Sequence, residues 1–133
     1  GRRTAVTRHQ SMKAALDWSY QRLSEQEQRV LQRLSVFKMA FTLDAAIGVI
    51  SCAQLPPSTL VAVVEQLAAR SLLTTDRSSG TLRYRMLNTT RRYAREQLEQ
   101  GGELNDVERR HARYQGRTRP ASSGRLTAQF VEQ

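Results

Sequence analysis

Six arginines fall between positions 77 and 95: Arg77, Arg83, Arg85, Arg91, Arg92 and Arg95. A guanidinium is planar, permanently charged and able to grip two oxygens at once, so this grouping suits phosphate or carboxylate. Nothing comparable serves bond making. His9 and His111 stand near opposite ends of the chain, with no cysteine or acid at ligand spacing, so we assign no metal site. Cys52 lies among Ile50, Ala53 and Leu55 and reads as a small buried hydrophobe. A single cysteine excludes an internal disulfide and a cysteine metal cluster, and it suits a reducing compartment. No Gly-x-x-x-x-Gly-Lys-Ser/Thr run is present to cradle a nucleotide. We therefore assign this chain no catalytic residue and no cofactor of its own.

The formal net charge of +9 invites a nucleic-acid reading, but its distribution matters more. The first 15 residues carry four basic side chains and no acidic one. Residues 16–76 carry five basic and six acidic, and residues 77–133 twelve and six. The positive charge thus sits at the two ends. No stretch is apolar enough to span a membrane.

The elements that must position these arginines follow from periodicity. Residues 1–10 are basic and aperiodic and read as an arm or linker. From Met12, the residues Leu16, Ser19, Tyr20 and Leu23 mark one helix face, with Trp18 off it. Ser24 and Glu27 have capping-box spacing, opening a helix whose inner face is Glu27, Val30, Leu31 and Leu34. Thr42 caps a third helix with Leu43, Ala46, Ile47 and Ile50 inward. Pro56 and Pro57 break the chain, and Ser58 reads as the cap of a helix over Thr59–Arg70 striped by Leu60, Val63, Val64 and Leu67.

Ser71–Thr75 and Thr81–Met86 read as strands of a hairpin, with Leu82, Tyr84 and Met86 on one face. Asn88 or Thr89 caps the next helix, which Gly101 and Gly102 stop. A last helix at 104–115 places Leu104, Val107, His111 and Tyr114 on one side. Residues 116–133 show no core pattern and read as a disordered or truncated tail. The predicted class is mainly α with a two-stranded β-hairpin, a winged helix-turn-helix over 11–100.

In a DNA reader of this fold, Thr59–Arg70 enters the major groove. Outside its apolar stripe it offers Thr59, Val61, Ala62, Glu65, Gln66, Ala69 and Arg70. Between Met39 and Asp76 there is one basic residue against three acidic ones. Non-specific affinity rests on neutralised phosphates, and this face can neutralise almost none. Val61, Ala62 and Ala69 read instead as a packing surface, joined by Trp18 and Tyr20 as an interdomain interface. The alternative is direct DNA contact led by the wing, through Arg70, Arg77, Arg83 and Arg85.

The chain resembles the winged-helix region of bacterial signal-transduction ATPases with numerous domains, a family that includes transcriptional regulators. The stretches that carry the resemblance are GRRTAVTRHQSMKAALDWSY, LSEQEQRVLQRLSVF, FTLDAA, LAARSLL, RYRMLNTTRRYA and RRHARY, spread over about residues 1–115. The resemblance implies a cytoplasmic, ATP/ADP-switched parent protein. A nucleotide-binding domain would precede this segment, helical repeats would follow it, and DNA would be bound by a separate domain. It also implies a nucleotide-sensing corner. Many members carry Met-His-Asp at the end of the last wing strand, where the histidine meets the ADP β-phosphate and the aspartate caps the next helix. The matching positions here are Met86, Leu87 and Asn88. Leu87 cannot donate a hydrogen bond, and Asn88 lacks the acid's charge. Under this resemblance, nucleotide contact passes to Arg83, Arg85 or Arg91. The basic residues Arg2, Arg3, Arg8 and Lys13 read equally as a contact to nucleotide, a contact to an acidic domain face, or a solvated linker.

Overall fold

Ser24 starts the helix on which the domain is built. Its hydroxyl accepts from the Glu27 amide at 3.1 Å, and Glu27 Oε1 accepts from the Ser24 amide at 2.8 Å, completing the capping box. In this computed structural model, which describes residues 2–118, that helix is α2 (Glu25–Leu34). It follows α1 (Arg2–Gln21) and precedes α3 (Leu43–Ile50) and α4 (Pro57–Ala69). The wing is β1 (Thr74–Asp76) with β2 (Arg83–Arg85), and α5 (Asn88–Gln100) and α6 (Leu104–Thr118) follow.

The apolar stripes converge as their spacing requires. Val30, Leu34, Ile50, Leu55, Leu60, Val64, Leu67 and Leu98 are all 0% exposed. They come from α2, α3, the α3–α4 connection, α4 and α5, so one core joins the helix-turn-helix to the element after the wing. β1 and β2 form a two-stranded antiparallel sheet. Phe41 adds a bridge to Tyr84, with N–H···O distances of 2.8 Å in both directions, and so ties the wing to the start of α3.

Several boundaries differ from the expectation. Residues 2–10, read as an arm, are the first half of α1. α4 starts at Pro57 with Pro56 as its cap residue, not at Thr59 after Ser58. Proline suits a first helical turn because its missing N–H has no helical acceptor there. The last helix runs to Thr118, past the expected end at 115. The rest of the expected tail, 119–133, lies outside the described residues.

α4 ends without glycine. Ser71 adopts φ +65°, the Leu72 amide donates to the Leu67 carbonyl, and the Ser71 amide donates to that of Ala68. These bonds form a Schellman stop, in which the left-handed position favours glycine. Ser71→Gly is expected to stabilise the domain by about 0.5–1 kcal/mol, read as a raised denaturant midpoint at unchanged slope.

α6 docks through Val107, buried on α6, and through His111, whose ring meets Phe37 edge-on at 4.9 Å. Gly48 on α3 leaves room for the Tyr114 ring. Burial lowers the His111 pKa; Glu108 opposes that shift and Lys38 adds to it. The depressed folded value means this contribution is present above the unfolded pKa and lost as pH falls. Stability is therefore expected to drop as pH falls through about 6.5, and His111→Gln should flatten that slope in pH-dependent unfolding.

Candidate functional site

The pleat decides what the wing presents. Thr74 pairs with Arg85, Thr75 with Tyr84 and Asp76 with Arg83. Tyr84 points inward and is buried, so Arg83 and Arg85 both point to solvent, and Arg77 is exposed in the turn. Asp76 accepts the Ser78 amide at 2.8 Å. That bond and the Ser78 hydroxyl hold the Asp76 carboxyl below its usual range, with Arg83 and Arg85 adding to the effect. The wing is thus a small basic surface with one acid inside its own turn.

α4 presents a different surface. Ala62, Glu65, Gln66, Ala69 and Arg70 are exposed, and Val61 is half-buried. The one basic side chain of this group is paired with an acid: Arg70 Nε, on a side chain 49% exposed, lies 3.6 Å from Glu27 Oε2, on a carboxylate only 7% exposed. Glu27 thus caps α2 with one oxygen and holds Arg70 with the other.

The corner after the wing is not built as expected. Met86 is buried, in keeping with a core role. Leu87, 58% exposed, is the cap residue of α5 and has no side chain able to accept an amide proton; Asn88 is already inside the helix. Leu87 keeps an extended backbone, so the helix begins one residue before either polar candidate could cap it. Arg91 is drawn elsewhere. Its Nε donates to the Ser35 carbonyl at 2.8 Å, at the C-terminal end of α2, and burial and Arg95 lower its pKa. A guanidinium there offsets the negative end of the helix.

What the corner does assemble is a groove of about 390 Å³ between α1 and α5, lined by Lys13, Leu16, Asn88, Thr89, Arg92, Tyr93 and Glu96. Arg92, which the sequence did not place at this corner, joins Asn88 there because i, i+4 spacing puts the two on one face of α5. Tyr93 forms the floor. Its hydroxyl donates to Asp17 Oδ1, and its ring meets Tyr20 edge-on at 5.4 Å.

Tyr20 is therefore core, 9% exposed, and cannot serve as interdomain surface, whereas Trp18 is 61% exposed. Cys52 is half-buried rather than a plain core residue. Arg33 Nη1 donates to its sulfur at 3.6 Å while Arg33 Nε holds Glu103 at 3.2 Å. Burial pushes the thiol up, but Arg33 and the backbone at Gln54 and Leu55 outweigh it, and the net direction is down. Among the described residues, no three His, Cys, Asp or Glu side chains converge as a metal site, and no helix is long and apolar enough to cross a membrane.

Two stacked helices, a buttressed hairpin and a third helix behind it define a winged helix-turn-helix, and the chain belongs to that family: the winged helix-turn-helix domain model matches residues 23–99. Proteins of Mycobacterium bovis and Mycobacterium tuberculosis that carry "HTH-type transcriptional regulator" in their names are 40% identical over 114 residues. The match covers 86% of this chain and 13% of theirs. An uncharacterized protein of Mycobacterium tuberculosis is 30% identical over 111 residues, covering 83% of this chain and 28% of that protein. No solved structure matches.

The Tyr93–Asp17 bond should couple α1 to α5. Burial first, and Asp17 second, raise the Tyr93 pKa. A raised folded value gives stability that is complete below the unfolded pKa of about 10 and is lost as pH climbs from there. Tyr93→Phe is expected to cost about 1–2 kcal/mol at neutral pH, because Asp17 loses a donor, and to weaken the alkaline decline in equilibrium unfolding.

Proposed function

We propose that this domain is an internal regulatory module of a longer cytoplasmic transcriptional regulator, packing on other domains of its own polypeptide rather than reading bases. The observation that carries this reading is the surface of α4. Its basic residue is held by Glu27, and its remaining exposed positions include Ala62, Glu65, Gln66 and Ala69. Base reading needs donors aimed at the groove and cations on the flanks. A surface of alanines with one acid instead suits contact with protein.

The resemblance to signal-transduction ATPases extends the reading to a switch in which a preceding domain binds ADP or ATP. Leu87 has no polar atom to offer a phosphate. Any anion contact at the corner would rest on Lys13, Asn88 and Arg92 around the groove, in place of the expected Arg83, Arg85 and Arg91. The nucleotide's own chemistry would belong to the preceding domain.

A second reading is favoured by one observation: Arg77, Arg83 and Arg85 are exposed together on the wing. Wing-led contact with the DNA backbone would use them. The two readings part in a titration of this chain against mixed-sequence duplex DNA. The module reading expects no binding near micromolar concentration at low salt. Tight binding that falls steeply with salt, and weakens by at least one phosphate contact's worth of salt slope in Arg83→Ala/Arg85→Ala, would replace it with the DNA reading.

A further inference from the structure

α1 has two faces, and the fold covers only one. Leu16, Tyr20 and Leu23 turn toward the body of the domain, and Leu16 and Tyr20 meet α5 around Tyr93. The opposite side carries Ser11, Ala15, Trp18 and Arg22, spaced by four, three and four residues, with Ala14 and Gln21 beside them; all six are exposed. Trp18 stands at the centre of this stripe, 61% exposed, with the Arg22 guanidinium 4.1 Å above its ring. An exposed tryptophan flanked by small side chains has the form of a helix-packing knob, and Trp and Arg are the side chains most often dominant at protein interfaces. The cation–π contact holds the ring in place before any partner arrives, which lowers the entropy lost on binding.

Charge identifies the partner. Arg22 ends the exposed stripe, none of the other five residues on it is acidic, and the one acid of α1, Asp17, already accepts the Tyr93 hydroxyl. A basic partner would meet uncompensated repulsion, and a purely apolar one would leave Arg22 unpaired. We infer that the Trp18 face of α1 docks an acidic amphipathic helix from another domain of the same regulator, with apolar side chains seated on Trp18, Ala14 and Ala15 and a carboxylate on Arg22. This names the chemistry of one partner surface under the function proposed above and rests on that reading. It uses α1, whereas that reading rests on α4.

The test uses a labelled synthetic helix of about five turns with a leucine stripe flanked by glutamates, titrated against this chain by fluorescence anisotropy. Two control peptides keep the stripe with lysines or keep the glutamates with the leucines scrambled. Binding of the first peptide alone is expected, with a blue shift of the chain's single tryptophan. Trp18→Ala should weaken it at least about tenfold and Arg22→Ala less, with unchanged circular dichroism because both side chains lie on the surface. Equal binding of the lysine peptide, or binding indifferent to Trp18→Ala, would overturn the inference. So would sedimentation showing that Trp18 is buried by a second copy of this chain. In the complete regulator, Trp18 should be shielded from hydroxyl radicals relative to this chain; equal oxidation would overturn assignment to the same polypeptide. DNA binding by the wing would remove the proposed function without altering the peptide result. Failure of the peptide with no DNA binding would remove only this inference.

Discussion

The domain depends on α2 being covered from two sides. Val30 and Leu34 are fully buried and Leu31 is 1% exposed, so α2 has apolar demands that a helix-turn-helix pair alone does not meet. α3 and α4 cover one side, and α5, arriving after the wing, covers another. Polar bonds at both ends of α2 fix this arrangement. At its start Glu27 caps the helix and holds Arg70 of α4; at its end the Ser35 carbonyl takes Arg91 of α5. The half-exposed Arg70–Glu27 pair contributes at most about 1 kcal/mol, whereas the Arg91 bond to a neutral carbonyl contributes about 1.5–3 kcal/mol where it is shielded from water.

That constraint explains the division of charge. Two arginines that ligand recognition could use, Arg70 and Arg91, are drawn onto the ends of α2. Of the six arginines between 77 and 95, those fully exposed are on the wing, where strand alternation puts Arg83 and Arg85 on the same side, and at Arg92 beside the α1–α5 groove. A net charge of +9 therefore does not become a continuous phosphate-binding surface. The helix that would lie in a DNA groove, α4, has no basic residue between Pro57 and Ala69, and its exposed alanines suit contact with protein. The segment shared with the 40% identical relatives is 13% of their length.

Much of the fold was legible because short-range chemistry wrote it. The Ser24–Glu27 capping box, the stripe Leu60, Val63, Val64 and Leu67, and the inward set of Leu82, Tyr84 and Met86 each needed only a few consecutive residues to be read. The errors fell at junctions. Asn88 looked like a cap by residue type, but Leu87 took that place because the chain leaves the wing extended through it. Residues 2–10 looked like an arm because they lack an apolar stripe, yet they continue the helix that Leu16 and Tyr20 anchor. Cys52 looked like core because its sequence neighbours are apolar, while it lies in the α3–α4 connection with Arg33 of α2 against its sulfur.

The sequence by itself determined the order of elements, the core stripes, the charge polarity and the lack of a phosphate-gripping loop, since each is a property of residue type and local period. Tertiary structure alone decided which charges remained available. Arg70, Arg91, Asp17 and Tyr20 all carry groups suited to binding, and each is taken up by a partner at least 12 positions away, whether Glu27, Ser35, Tyr93 or Gln32. Local pattern holds no record of such pairs. They arise only when packed helices bring distant groups together and burial makes an unpaired charge or hydroxyl costly. Trp18 is the complementary case: its place on the helix wheel was readable, but only the packed domain shows that it stays 61% exposed, with Arg22 stacked on its ring.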